Sequence, residues 1–401
     1  MVLQKAFKFR IALTGSQCST ARKTAGCRRY VYNRALALQM ARRAAGGGYI
    51  RYQDMAQRMV AWKKEVSSPW LSDAPAQALQ QALMDLDRAF QNFFAGRTQY
   101  PTFKKKGRGD AFRYPQPGQI SLDPANNRLL LPKLGWIRYR NSRDVTGELR
   151  NVTISATGDK WFASIQTQQE VPDPVPTVTS AVGADVGIVR FVTLSDGTHV
   201  APCSPFRQHM AALAKAQRQL SHKVKFSQNW KKARSRVTRL HTTIANIRRD
   251  FLHQTTSTLS KNHALVAIED LQVTNMSASA AGTVAAPGKR VRQKAGLNRS
   301  IMDQGWGEFR RQLDYKLRWQ GGWLVPVPPQ NTSRTCPCCG HVAAGNRKSQ
   351  SAFLCEQCWY ENHADTVGAI NILDRALASL AREASGCITN QGQDMPGSPV
   401  K

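Results

Sequence analysis

Cys336 and Cys339 form one C-x-x-C pair, Cys355 and Cys358 form a second, and 15 residues separate them. Two such pairs at this spacing are the signature of a four-thiolate zinc site. The competing reading is four buried thiols, which turn residues inside correctly spaced pairs make unfavourable. Gly340, directly after Cys339, lets the chain turn tightly around a metal. Cys338 lies inside the first knuckle and could compete as a ligand; Cys339 keeps the two-residue spacing and is assigned. Seven residues beyond Cys358 stands Asp365, just ahead of the apolar run Ala369-Ile370-x-x-Leu373. The stretch reads as a zinc ribbon that delivers an acid to a site built elsewhere. Alone, Asp365 could equally be a helix N-cap; only partner carboxylates upstream favour the site.

The charge balance names the kind of partner. Lys and Arg number 57 against 26 Asp and Glu in 401 residues, a net charge of +31 with a pI of about 10.3. That excess calls for a polyanion, and nucleic acid leads over a membrane surface. No apolar run approaches the ~20 residues of a membrane span, and MVLQKAFKFRIAL lacks a signal-peptide core. Nine cysteines, four of them in knuckles, suit a reducing compartment. A cytoplasmic, nucleoid-associated protein is expected. Residues 1–53, 197–249 and 271–302 contain no acid. A charge run is often a solvated helix face, but these runs lack interleaved acids and repel themselves unless an anion neutralises them. Lys231, Lys232, Arg234 and Arg236 lie in the middle block.

In chain order, Lys5–Leu13 alternates as a strand, and a helix capped by Ser16 is expected to reach about Arg43. Gly46-Gly47-Gly48 is a hinge. Helices follow near 53–65 and 73–95, the second with Leu79, Leu83, Leu86, Phe90 and Phe93 as a core stripe. PTFKKKGRGDAFRYPQPGQ then reads as a basic, aromatic loop. Its Lys104, Lys105, Lys106 and Arg113 are placed to meet phosphate while aromatics stack on unpaired bases; an ordinary exposed loop is the alternative. The segments RLLLP, WIRYR, ELRNVTISA and KWFASIQTQ are short strands that suggest a small β-barrel closed by the N-terminal strand. Val171–Pro176 is a stiff linker.

Beyond it, AVGADVGIVRFVTLSDG reads as a strand carrying Asp185, a turn at Gly187, and a return strand at 190–194. Gly183 and Gly187 are expected to leave room for metal and phosphate beside the acid. Basic helices are expected at 208–221 and 226–260, then the apolar strand ALVAIEDL, whose alternation puts Glu269 and Asp270 on opposite faces. A flexible basic segment (277–300), a helix (305–319) and a strand (323–327) follow. Each acid alone is weak. Asp185, Glu269 and Asp365 in this order, with the ribbon before the third, match an RNase H-type, RuvC-like nuclease core. There, three carboxylates hold two Mg²⁺, one activating water and the other steadying the leaving oxygen.

At these residues the chain resembles TnpB, the OrfB-type transposase family of bacterial insertion sequences, compact RNA-guided nucleases related to type V CRISPR effectors. The resemblance runs through KAFKFR, CRRYVYNRAL, YPTFKKK, AFRYPQ, LLLPKLGWIRYR, GADVGIVRFVTLSDG, VAIEDLQVTNM, GWGEFRRQLDYK, the C-x-x-C pairs and NHADTVGAINIL. It implies that Asp185, Glu269 and Asp365 are the catalytic acids. It also implies a barrel (WED, OB-like) domain over 1–15 and 97–172 and an inserted helical recognition domain over 16–96. A RuvC-like α/β domain would cover 173–330 and 361–382, with the zinc ribbon at 331–360 and a flexible tail at 383–401. The implied cofactors are two catalytic Mg²⁺ and one structural Zn²⁺. The implied partners are a guide RNA made from the element's own end and target double-stranded DNA, in a ribonucleoprotein with one protein chain. Tyr52 and Gln80 match positions that read a short motif beside the target; Ala76 and Gln77 depart from the pattern, as does Cys338, and Trp359-Tyr360 has no assigned role. The expected function is RNA-guided, Mg²⁺-dependent DNA cleavage. Two other readings stand beside it: a transposase that joins DNA strands, and a nuclease-dead RNA-guided binder.

Overall fold

The computed structural model describes residues 1–390, in two compact units, Met1–Val171 and the remainder from Pro172. Among the described residues no helix is long and apolar enough to cross a membrane.

The first unit begins with β1 (Val2–Ala12) and passes through three helices, α1 (Gly15–Ala44), α2 (Tyr52–Lys64) and α3 (Ala76–Phe94). It then returns as β2 (Ala111–Tyr114), β3 (Ser121–Asp123), β4 (Arg128–Leu131), β5 (Gly135–Tyr139), β6 (Glu148–Thr157) and β7 (Lys160–Glu170). All seven strands share one antiparallel sheet in the order β2-β6-β7-β1-β5-β4-β3. The first strand is therefore central, pairing with β7 from Val2 to Ile11. Its alternation buries Phe7, Phe9 and Ile11 on one face. Among the described residues no ladder joins β2 to β3, so the sheet is open where the sequence suggested a closed barrel. Pro115 and Pro117 lie between those two strands and cannot donate to a ladder. β2 itself is a departure, because the sequence reads that stretch as loop.

The cap of α1 is Thr14 rather than Ser16. Thr14 Oγ1 accepts the Gln17 N–H at 3.3 Å, and the Gln17 side chain accepts the Thr14 N–H at 3.1 Å, a reciprocal box. The apolar stripe of α3 is buried as expected, with Leu79, Leu83, Leu86 and Phe90 joining Leu36 and Trp62 in a separate helical core.

The second unit opens with β8 (Ala181–Val186), β9 (Val192–Leu194) and β10 (His199–Val200), then α4 (Pro205–Ser221), α5 (Gln228–Asn262) and β11 (Leu265–Glu269). It continues with α6 (Val273–Met276), α7 (Val291–Gln304), α8 (Trp306–Trp319), β12 (Trp323–Val327), β13 (Ala352–Leu354), β14 (Glu361–His363) and α9 (Ala364–Asn390). Five strands form a mixed sheet, β10-β9-β8-β11-β12, in which β8, β11 and β12 run parallel. Helices cover both faces, which is why β11 reads as continuously apolar. Val182, Ala184, Val266 and Ile268 meet Leu252 of α5 and Phe309 and Leu313 of α8. Ala267 and Val327 meet Ile372 and Ala376 of α9 on the other side.

Three more expectations are corrected here. The return strand starts at Val192, not at 190. The segment expected to be flexible is helical from Val291, because Lys294 Nζ binds the Met276 carbonyl at 2.6 Å and Asn298 Nδ2 binds those of Ser277 and Ala278. The tail expected over 383–401 is helical as far as Asn390; the rest lies outside the described residues.

Candidate functional site

Parallel pairing sets the first two acids side by side. Ile268 pairs with Ala184, so the next register position places Glu269 beside Asp185 at the carboxyl ends of adjacent strands. Equivalent positions on parallel strands face the same way. That face is the one α9 covers. A Cβ at Gly183 would collide with the Ala369 carbonyl and come within 2.9 Å of the Leu373 nitrogen. A Cβ at Gly368 would lie 2.9 Å from Asp185 Oδ2. Asp365 stands one turn before Gly368, in the first turn of the same helix.

The glycines therefore have a different use from the one the sequence suggested. Gly183 admits a helix backbone, and Gly187 admits the Arg190 carbonyl, 2.8 Å from where its Cβ would be, inside the turn to β9. Gly368 is the glycine that makes room for the acid. The sequence offers no sign of this, because the approach joins residues almost the whole unit apart.

The Asp185 carboxyl senses the other two. Burial, then the charges of Glu269 and Asp365, pushes the Asp185 carboxyl up to about 8, with Arg347 opposing. Burial also raises Glu269, against a hydrogen bond from Thr332 and the charges of Arg375 and Arg347. Thr332 Oγ1 donates to Glu269 Oε1 at 2.6 Å. Asn371 of α9, buried, donates to the carbonyls of Thr332 (2.7 Å) and Thr335 (2.8 Å). Arg347 Nη2 lies 3.8 Å from Asp365 Oδ1. His363 Nδ1 accepts the Asp365 N–H at 3.2 Å. Sequence reasoning missed Thr332, Asn371 and Arg347; each is an ordinary polar residue until the chain is folded. Asp270 turns away and ion-pairs with Arg310 on α8, the helix of the opposite face.

The four knuckle cysteines converge. Among the described residues theirs is the set of potential ligand atoms that all lie within 4.8 Å of one another. Cys336 and Cys358 sulfurs are 3.5 Å apart, and those of Cys339 and Cys355 are 3.6 Å apart. A tetrahedral metal with bonds of ~2.3 Å spaces its sulfurs by roughly 3.8 Å, while a disulfide brings them to ~2.05 Å. The cluster fits a metal. Cys338 is exposed and outside it. The two knuckles repeat one turn: Gly340 N–H donates to the Cys336 carbonyl, and Trp359 N–H to that of Cys355.

The remaining expected contacts are dispersed. In the first unit Tyr52 is half-buried against the helical core, and Gln80 is exposed on α3. Lys104, Lys105 and Lys106 are exposed, the Lys104 backbone being clamped by both ends of the Asn33 amide. Arg113 is exposed on β2 beside Thr153. In the second unit Lys231, Lys232, Arg234 and Arg236 are exposed along α5.

Family profiles match three stretches. One described as a "Probable transposase" of the OrfB/IS605 type matches residues 164–280, and one described as "Cas12f1-like, TNB domain" matches 306–372. One described as a "Helix-turn-helix domain" matches 1–48, where the structure has β1 and a single long helix. The chain is 52% identical to "Putative RNA-guided DNA endonuclease InsQ" of Escherichia coli K12, over 99% of this chain and 98% of that one. It is 34% identical to a "Putative RNA-guided DNA endonuclease" of Streptomyces pristinaespiralis, over 94% and 91%. The solved mini-RNA-guided endonuclease CRISPR-Cas_phi3 aligns at 9% identity and a TM-score of 0.46, over 94% and 92%.

Proposed function

The chain belongs to the OrfB, or TnpB, family of insertion-sequence proteins, and from that membership we propose that it is an RNA-guided, Mg²⁺-dependent DNA endonuclease with Asp185, Glu269 and Asp365 as its catalytic acids. In this reading the mixed sheet with its helices is a RuvC-like core (173–330 and 361–382), and 331–360 is a structural zinc ribbon. The open antiparallel sheet (1–15 and 97–172) is the WED-like domain, and its inserted helices (16–96) read DNA beside the target. The acting species is one protein chain with a guide RNA.

One observation carries the reading. Three carboxylates from two parallel strands and a late helix are gathered on one covered face, at a cost visible in the displaced Asp185 carboxyl. Like charges held together this way are stable only when protonated or when cations neutralise them. All the donors are hard oxygens, which suits Mg²⁺ and not a thiophilic ion. Divalent cations bound there supply Lewis acidity for phosphodiester hydrolysis.

The chain's own residues set the stage. Thr332 holds one oxygen of Glu269 and leaves the other free for a cation. Arg347, close to Asp365, eases the crowding of negative charge and presents a cation towards a phosphate. Four thiolates leave no open coordination position, so the ribbon's metal is structural.

The test compares wild type with Asp185→Ala, each purified with its RNA and offered matched target DNA. Wild type should cut only with Mg²⁺ and the guide; the variant should bind both nucleic acids and not cut. Cleavage by RNA-free protein overturns the guided mechanism, and full activity of Asp185→Ala overturns the site. Joined strands instead of hydrolysed ends would favour strand transfer by a transposase, the word the family description uses.

A further inference from the structure

α4 and α5 form a helical hairpin whose turn, residues 222–227, reads His-Lys-Val-Lys-Phe-Ser. Water-facing turns favour small polar residues; this one puts two large apolar side chains outside. Val224 is 80% exposed and Phe226 is 75% exposed. Phe226 also sits at φ +70°, a left-handed backbone that bulky residues rarely adopt. Glycine or asparagine would remove both the strain and the exposure.

The ring is held in place. Ser227 Oγ accepts the Trp230 N–H at 3.1 Å, and the Ser227 N–H donates to the Val224 carbonyl at 3.2 Å. The Phe226 and Trp230 rings lie 5.5 Å apart, and the Arg234 guanidinium lies over Trp230 at 5.3 Å. Trp230 and Arg234 are one helical turn apart, so three planar groups climb from the tip along one side of α5. Six Lys or Arg occupy residues 222–236, and no acid occurs from 197 to 249.

We propose that this tip is a base-stacking anchor for RNA, with Phe226 and Trp230 taking the faces of unpaired bases and the surrounding lysines taking their phosphates. The inference rests on the reading that RNA is the protein's partner. Aromatic rings and arginine planes are the surfaces on which unpaired RNA bases stack. Distance favours RNA over the cut strand. α5 has 35 residues, hence a length of roughly 52 Å. Glu269 follows seven residues after its end, a reach of at most ~24 Å. The tip is therefore at least about 25 Å from the acids. A DNA strand must present its scissile bond at the acids, whereas RNA need not approach them.

The test uses the full chain and a mixed-sequence single-stranded RNA, with single-stranded DNA of the same sequence in parallel. Phe226→Gly and Trp230→Ala should each weaken RNA binding about 10-fold. The slope of affinity against salt should not change, because neither ring is charged. Phe226→Tyr should bind as wild type. Phe226→Gly should melt no lower than wild type, since it relieves the backbone; a purely structural role would lower both. RNA bound by Phe226→Gly as tightly as by wild type overturns the proposal, as does a loss confined to DNA. A change of oligomeric state or of binding to anionic vesicles, with RNA affinity intact, would reassign the tip to a second copy or a membrane. Wild type that prefers no RNA at all would instead defeat the reading on which this rests.

Discussion

Two clusters of acid-forming groups occupy the second unit, and they are built in opposite ways. The thiols come from 23 consecutive residues, 336–358, and all lie within 4.8 Å of one another. The carboxylates come from β8, β11 and α9, with Asp185 and Asp365 separated by 180 positions, and are not drawn so close among the described residues. One cluster is a local knot whose four sulfurs are spaced to hold an ion. The other is assembled by a sheet and a helix that pack for reasons of their own. The lesson is that removing a ligand should damage fold in the first and chemistry in the second.

The largest effect is expected at the knot. Structural zinc in small modules contributes ~10–16 kcal/mol of apparent binding energy. Cys355→Ser should lose about one zinc per chain and expose residues 331–363 to protease, whereas Cys338→Ser should keep both metal and resistance. Unchanged zinc in Cys355→Ser would erase the contrast.

Next in size is Gly183→Ala, which leaves every acid in place but puts a methyl group into the Ala369 carbonyl. Displacing α9 should destabilise the unit by ~2–3 kcal/mol, the scale of overpacking, and cut Mg²⁺ affinity by moving Asp365. A wild-type melting curve would show that α9 is not seated as described.

A subtler probe is Thr332→Val, which keeps shape and deletes the hydrogen bond to Glu269. A bond to a charged group is worth ~1.5–3 kcal/mol, so the Mg²⁺ needed for half-maximal binding should rise by roughly 10-fold or more. Thr332→Ser should restore it. Equal metal affinity in Thr332→Val would mean that the Thr332 hydrogen bond does not position the acid.

Acidity gives a further separation. Asp185 folds with its carboxyl raised to about 8, above its unfolded value of ~3.9. The folded state holds the proton longer, so this contribution is whole below about pH 4 and is lost as pH climbs to 8. Metal-free protein should melt lower at pH 8 than at pH 5, Asp185→Asn should flatten that slope, and Mg²⁺ should reverse it. The smallest effect belongs to Asp270→Asn. It removes an ion pair with Arg310 that is largely exposed, worth under ~1 kcal/mol, and cleavage should continue.

The same contrast explains what the sequence could reveal. The thiol spacing is a local constraint, legible by counting. The acids were legible through their order and through the apolar strands that carry two of them. Three things were not. Thr14 and Ser16 are both cap residues, and Gln17, three positions after Thr14, decides between them. Gly183 is flanked by alanine and valine like any strand glycine, and only a helix 186 residues later shows what it admits. Segment 277–300 has the composition of a linker, yet carbonyls at 276–278 capture Lys294 and Asn298 and order its second half. Each depends on a partner that spacing cannot name.

The late arrival of α9 has a consequence in time. A ribosome adds ~5–20 residues per second, so roughly 10–40 seconds pass between the appearance of Asp185 and that of Asp365. Once β11 has been made, the open face of β8 and β11 carries two acids and awaits a helix. A nascent or truncated chain can already display the basic helices α4 and α5, yet holds an incomplete set of carboxylates. The order of elements thus leaves the set of carboxylates incomplete until α9 has been made.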